Sequence, residues 1–234
     1  MKHTYLFILC PPASGSTLLW RILQTSPHVS AFRLEGQALA KEYLFTPDRW
    51  DPEKKIPWDQ VKRKWQAAWD VSKPILLEKS PPHLVRARQI EEHFPDSRFI
   101  VMVRNPYAFC EGLRRRWLKK TDLGELARNW VRWAGHQSVN RRTLACSVFF
   151  TYEDLCDRPR ETCVRLVRFL PELEALSFEN EFKIFERSQP VENLNERQIA
   201  RLSAADLREI NAVLAEHRPL LAEFGYALLE EGHA

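Results

Sequence analysis

Cys10-Pro11-Pro12-Ala13-Ser14-Gly15-Ser16-Thr17-Leu18 joins a short apolar run to a helical pattern. A strand, a tight loop and a helix start in that order aim unpaired backbone N–H groups and a positive helix end at one point, where an anion binds. Loops that hold nucleoside triphosphates read GxxxxGK followed by Ser or Thr. Here Gly15 and Thr17 keep the end of that pattern, but Ser16 stands where the lysine belongs. Hydroxyls at Ser14, Ser16 and Thr17 can donate to phosphate oxygens, yet they do not balance a β,γ-phosphate with its magnesium. The loop therefore reads as an anion cradle that lacks the charge for a triphosphate.

Other reactive side chains sit at the ends of apolar runs. Arg104 follows Arg98–Val103, in the position where an open α/β sheet binds its ligand. A guanidinium there can grip a phosphate with two parallel hydrogen bonds. Lys79 follows the apolar run Pro74–Leu77, and Tyr152 follows Ser147–Phe150. His28 and His83 are candidate proton carriers because a histidine titrates near neutrality. The five cysteines (Cys10, Cys110, Cys146, Cys156, Cys163) are odd in number and show no CxxC or metal-type spacing. They read as reduced thiols of a cytoplasmic protein. No motif calls for a metal.

The elements that must position these groups follow from hydrophobic patterning. Tyr5–Leu9, Pro74–Leu77, Arg98–Val103 and Ser147–Phe150 read as strands, and RFIVMV is the clearest because it is continuous and bounded by turn residues. Helices are expected at Ser16–Gln24, His83–His93, Ala108–Trp117 and Asp122–Asn140, with more from about Arg158 apart from a polar stretch at Ser188–Asn195. Strands separated by helices imply βαβ units, hence a central parallel sheet covered on both faces.

At 234 residues the chain has room for one sizeable core. The expectation is a single domain over 1–234, with a Trp-rich insertion at about 45–72 and a helical C-terminal part from about 158. Trp58, Trp65 and Trp69 fall on one helix face. That stripe either packs onto the domain or forms a lid over a substrate cleft. A net charge of +4 favours an anionic ligand but is too small to argue for nucleic acid. No stretch approaches the ~18–20 apolar residues of a membrane span, and the apolar N-terminus is too short for a secretion signal. The sequence carries no coiled-coil heptads, and oligomeric state is not readable from it.

Taken in order, these motifs resemble the sulfotransferases that use 3′-phosphoadenosine 5′-phosphosulfate (PAPS). Pro12 to Leu18 is similar to that family's 5′-phosphosulfate loop: Pro, a basic residue, Ser or Thr, Gly, two hydroxyl residues, then Leu or Trp. The strand ending in Arg104 resembles the start of its 3′-phosphate motif. The likeness continues through Glu78-Lys79-Ser80-Pro81, Tyr152-Glu153-Asp154-Leu155, Gln189-Pro190-Val191-Glu192-Asn193-Leu194-Asn195 and Phe224-Gly225-Tyr226. The pattern is closest to the tyrosylprotein-sulfotransferase-like branch and its bacterial relatives. The resemblance implies a P-loop-type α/β fold and in-line sulfuryl transfer from PAPS to a hydroxyl or amine of a small molecule, peptide, glycan or lipid. It further implies Glu35 as base, Lys79 as the cation at the bridging oxygen, and Arg104 with residue 112 on the 3′-phosphate. Tyr152 would contact the adenine, and Asn193 and Asn195 would lie in a segment closing over the nucleotide.

Three positions depart from the pattern. Ala13 replaces the loop's basic residue, Gly112 replaces the 3′-phosphate serine, and Gln189 stands where a lysine precedes Pro-Val. Arg33, Lys41 and Arg114 are within sequence reach to replace the lost charge. Two other readings remain open on the sequence: a P-loop kinase or nucleotide-binding protein, and a catalytically inert binding protein on a sulfotransferase scaffold. The first needs a loop lysine and an acidic magnesium ligand; the strand at 98–103 ends instead in Arg104.

Overall fold

A computed structural model describes residues 2–184 and 187–230. Five parallel strands form its centre: β1 (Thr4–Leu9), β2 (Val29–Ala31), β3 (Ile75–Glu78), β4 (Ser97–Val103) and β5 (Ser147–Thr151), in the order β2-β3-β1-β4-β5. The fold is the expected α/β architecture, a parallel sheet flanked by helices. From β1 the chain crosses to the edge strand β2, returns through β3, and then passes to the other side of β1 through β4 and β5. The crevice beyond the carboxyl end of β1 is thus the switch point at which such sheets bind ligands.

Continuous apolar strands serve two cores. Tyr5, Phe7 and Leu9 of β1 pack on one face of the sheet, and Leu6 and Ile8 on the other. The first face is covered by α7 (Leu123–Thr143), through Leu126, Trp130 and Trp133, and by α4 (Trp58–Gln66). The second is covered by α1 (Ser16–Leu23), α8 (Tyr152–Asp157) and α9 (Pro159–Phe169). Trp58, Trp65 and Trp69 point into the first core. Trp69 stacks on Phe32 at 4.7 Å, and Trp65 meets Phe7 at 6.3 Å. Each indole N–H is satisfied, by Gln89 Oε1, Gly36 O and Leu77 O respectively. Polar groups on α7 close the strand ends: the fully buried Gln137 donates to Leu9 O and Met102 O.

The remaining helices are α2 (Gly36–Leu39), α3 (Lys41–Leu44), α5 (Ala87–His93), α6 (Pro106–Arg116), α10 (Asn195–Ile199), α11 (Ala204–Leu214) and α12 (Arg218–Glu223). Three sequence expectations need correction. The edge strand β2 is an addition to the four expected strands, because three residues carry too little periodicity to stand out. His83–His93 is not one helix: Pro81–Val85 forms a 3-10 turn, and α5 starts only at Ala87. The C-terminal part is not wholly helical before Ser188: β6 (Phe182–Ile184) and β7 (Arg187–Gln189) pair antiparallel, with Phe182 and Ile184 buried against the second core. Among the described residues no helix is long and apolar enough to cross a membrane.

Candidate active site

Each parallel strand delivers one group to a common cleft. The loop 10–15 follows β1, Glu35 follows β2, Lys79 follows β3, Arg104 follows β4 and Tyr152 follows β5. Pro12, Ala13, Gly15, Ser16, Thr17 and Leu18 line the cleft together with Glu35, Lys79, Arg104 and Tyr152.

The loop holds its shape through two left-handed residues, Ala13 (φ 57°) and Gly15 (φ 88°). For Ala13 this costs about 1–2 kcal/mol, and the turned carbonyl is taken by Arg104 Nη1 at 2.8 Å. Gly15 is required twice over. Its φ is positive, and a Cβ there would lie 2.4 Å from Tyr152 Cδ2. Gly15 is also the N-cap of α1, so no side chain occupies the first N–H groups of that helix. The expectation for Ser14 is not met: it is fully buried and its hydroxyl donates to Pro12 O at 3.2 Å. Beneath the loop, burial pushes the Cys10 thiol up to about 12, so it stays protonated and is no nucleophile at neutral pH.

Lys79 Nζ donates to Glu35 Oε1 at 2.5 Å, and Gln37 Nε2 donates to the other oxygen, Glu35 Oε2. Lys79 is 7% exposed, which concentrates its charge at the cleft wall. The pair is braced from behind. Glu78 Oε1 accepts from Gly36 N at 2.8 Å and from Ser80 Oγ at 2.6 Å, and Glu78 Oε2 lies 2.9 Å from His83 Nε2. Burial alone would raise the Glu78 pKa; the neighbouring His83 and these donors outweigh it and hold the carboxyl below its usual range. Gly36 is again obligatory, since a Cβ there would sit 2.6 Å from Glu78 Oε1. Of the rival proton carriers, His83 is 1% exposed and faces Glu78 and the core rings, while His28 pairs with Glu174 at 2.8 Å on the surface. Neither lines the cleft, where Glu35 is the one carboxylate among the described residues.

The far wall is a network. Arg104 donates from Nη1 to Ala13 O, from Nε to Asn195 Oδ1 at 2.8 Å and from Nη2 to Gln198 Oε1. Its guanidinium lies 4.0 Å from the centre of the Tyr152 ring. Gln198 Nε2 donates to the buried Glu111 Oε2 at 2.6 Å, and Asn195 Nδ2 donates to Glu153 Oε1. Tyr152 OH donates to Glu192 O at 2.9 Å and accepts from Leu194 N at 3.2 Å; burial pushes its pKa up. Gly112 is not on the cleft wall. A Cβ there would meet Gln198 Nε2 at 3.0 Å and the Ala13 methyl at 3.5 Å, so the Gln198 carboxamide stands beside the position that the resemblance gives to a serine. Asn193 Nδ2 donates to Asp157 at 2.8 Å and its Oδ1 accepts from Asn195 N at 3.0 Å. Both asparagines thus pin the 192–195 segment rather than face the cleft.

Sequence reasoning missed Arg116 and Trp117 at the end of α6, which line the cleft with Gln189 and Leu194. The signal was present in the run Arg114-Arg115-Arg116, but periodicity alone does not say which member turns inward. Arg114 does not: it makes a two-pronged ion pair with Asp206 at 2.8 and 3.2 Å. Arg116 is exposed at the cleft mouth, where partial desolvation, with Arg115 and Arg104 nearby, lowers its pKa.

Residues 6–174 match the profile of the sulfotransferase family. The chain belongs to the sulfotransferase family. The match spans the loop, the Glu35–Lys79 pair, Arg104 and Tyr152. Solved sulfotransferases share the fold: STF1 of Mycobacterium tuberculosis (12% identity, 92% of this chain and 77% of that one, TM-score 0.58) and a protein of Alicyclobacillus acidocaldarius (13%, 92% and 97%, 0.53). Mouse SULT7A1, complexed with PAP, is similar at 12% identity over 93% of this chain and 86% of that one, TM-score 0.52. No curated protein matches the sequence.

Proposed function

We propose that this sulfotransferase moves a sulfuryl group from PAPS to an acceptor hydroxyl, without a metal. The observation that carries the reading is the Lys79–Glu35 pair, held at 2.5 Å on the wall of the same cleft as the start of α1. The 5′-phosphosulfate would rest on the backbone N–H groups of residues 15–18 and the Ser16 and Thr17 hydroxyls. Glu35 takes the acceptor's proton while the acceptor oxygen forms its bond to sulfur. The bond from sulfur to the bridging oxygen breaks, and its electron pair stays on the 5′-phosphate oxygen, where the Lys79 ammonium stabilises it. Arg104 and Arg116 supply positive charge toward the 3′-phosphate end of the cleft, and Tyr152 forms the wall beside it. Arg116 stands in for the charge missing at Ala13 and Gln189. The five cysteines are free thiols, which supports a reducing, cytoplasmic setting. We also propose that residues 1–234 act as one domain.

Labelled-sulfate transfer from PAPS tests the roles. Lys79→Ala and Glu35→Gln are each expected to lower kcat about 10²–10³-fold and to leave the thermal shift caused by adenosine 3′,5′-bisphosphate in place. Stabilisation by ATP with magnesium, and none by the bisphosphate, would refute the reading in favour of a P-loop kinase.

A further inference from the structure

A second concavity adjoins Glu35, and none of the loop residues 10–18 lines it. It is an open groove of about 330 Å³ lined by Leu34, Glu35, Gln37, Ala38, Lys41 and Phe45. Glu35 lines both this groove and the donor cleft. A molecule seated in the groove would therefore meet the proposed proton-accepting carboxylate from a space that the loop does not line.

The groove's walls are apolar where an enzyme surface is ordinarily polar. Leu34, at 65%, is the most exposed large apolar side chain among the described residues, and Phe45 is 57% exposed. Both flank one carboxylate. The Arg49 guanidinium lies 5.1 Å from the Phe45 ring centre and backs that wall. The tryptophans of 58–69, the other apolar surface suggested by the sequence, are spent in the core and cannot serve. Exposed apolar side chains that converge on a reactive group mark a binding surface rather than scatter.

We infer that this groove is the acceptor subsite and that it takes a hydroxyl carried on a compact apolar body, an aryl or alkyl alcohol, in preference to a sugar or a peptide. This rests on the sulfuryl-transfer reading above. The apolar body packs between Leu34 and Phe45, and its hydroxyl points at Glu35. Gln37, which holds Glu35 Oε2, keeps the carboxylate turned toward the junction of the two spaces. Lys41 stands at the rim and leaves the outer end of the acceptor in solvent. A sugar would strip its hydroxyls of water against Leu34 and Phe45 without new partners, and polar groups buried without partners cost binding.

The test is labelled-sulfate transfer from PAPS to 2-naphthol, to glucose and to a short tyrosine-containing peptide, with wild type and the variants Leu34→Ser and Phe45→Ser. Both positions are exposed, so neither variant threatens folding. Expected are a kcat/KM for 2-naphthol at least tenfold above those for glucose and the peptide, and a rise of its KM on the order of tenfold in each variant with kcat within twofold. The thermal shift caused by adenosine 3′,5′-bisphosphate should be unchanged in both. Equal or better transfer to glucose or to the peptide, or variants that leave the naphthol KM where it was, overturns the inference while the nucleotide shift upholds the sulfotransferase reading. No nucleotide shift and no transfer to any acceptor would sink that reading itself, and the inference with it.

Discussion

At the Gly15 end of the cleft, charge faces the opening: Lys79 and Glu35 meet across the wall, beside a helix start whose cap is a bare glycine. At the Arg104 end, charge faces inward. The guanidinium is divided among Ala13 O, Asn195 and Gln198, and those amides pass the contact on to Glu153 and Glu111. The contrast separates reaction from assembly. In the proposed mechanism the first end exchanges a proton and stabilises the leaving group, and its partners are few and lie at the surface of a cleft. The second ties the loop, α6, α8 and α10 into one body, because a buried arginine must satisfy its donors wherever carbonyl and carboxamide oxygens are found.

The largest expected effect tests whether the reactive end depends on the core behind it. Trp65 is fully buried and donates to Gly36 O, next to Glu35. Trp65→Ala should cost about 3–5 kcal/mol of stability in chemical denaturation and lower kcat as Gly36 loses its anchor. Full activity in a destabilised variant would show that Lys79, Gln37 and the Glu78–Gly36 contact position Glu35 without the Trp65 anchor. Next comes Gly15→Ala, which combines a left-handed backbone with overpacking on Tyr152. About 2–4 kcal/mol is expected, and with it loss of the thermal shift caused by adenosine 3′,5′-bisphosphate.

Gln198→Leu sharpens the picture of the closed end. It removes the partner of Arg104 Nη2 and of Glu111 Oε2 at once, for about 1–3 kcal/mol. A loss indistinguishable from zero would mean that water replaces the carboxamide and the end is open. The smallest effect concerns pH. Asp206 is held down to about 2, chiefly by the Arg114 hydrogen bond that joins α6 to α11. A carboxyl lowered in the folded state contributes stability above its unfolded pKa of ~3.9. That contribution is lost as pH falls from there toward about 2. The pair is partly exposed, so the contribution is about 1 kcal/mol or less. Arg114→Ala should lower stability by a constant amount above pH 5 and by progressively less as pH falls toward about 2, which flattens the curve in that window.

The cleft was legible in outline because its parts sit at strand ends, and strand ends are marked locally. RFIVMV stops at Arg104, and TYLFIL stops before Cys10-Pro11. The interior of the cleft was less legible. Ser14 and Ser16 look equivalent in the sequence, yet the turn at Ala13 buries the hydroxyl of Ser14 and leaves Ser16 on the wall. Gly112 reads as a lost serine, but the space beside it is taken by Gln198, a residue 86 positions later in the chain. No local pattern announces such a partner.

By itself the sequence determined four of the five sheet strands, the anion loop and the order in which Lys79 and Arg104 leave their strands. Those features follow from hydrophobic runs, glycine and proline, whose effects act within a few residues. Folding in three dimensions decided which groups meet: Lys79 with Glu35 across 44 positions, Arg104 with Gln198 across 94, His83 turned to Glu78 and away from the cleft. It also decided that Trp58, Trp65 and Trp69 pack inward while Leu34 and Phe45 stay exposed. The reason is physical: a side chain's direction and its desolvation depend on the elements packed around it.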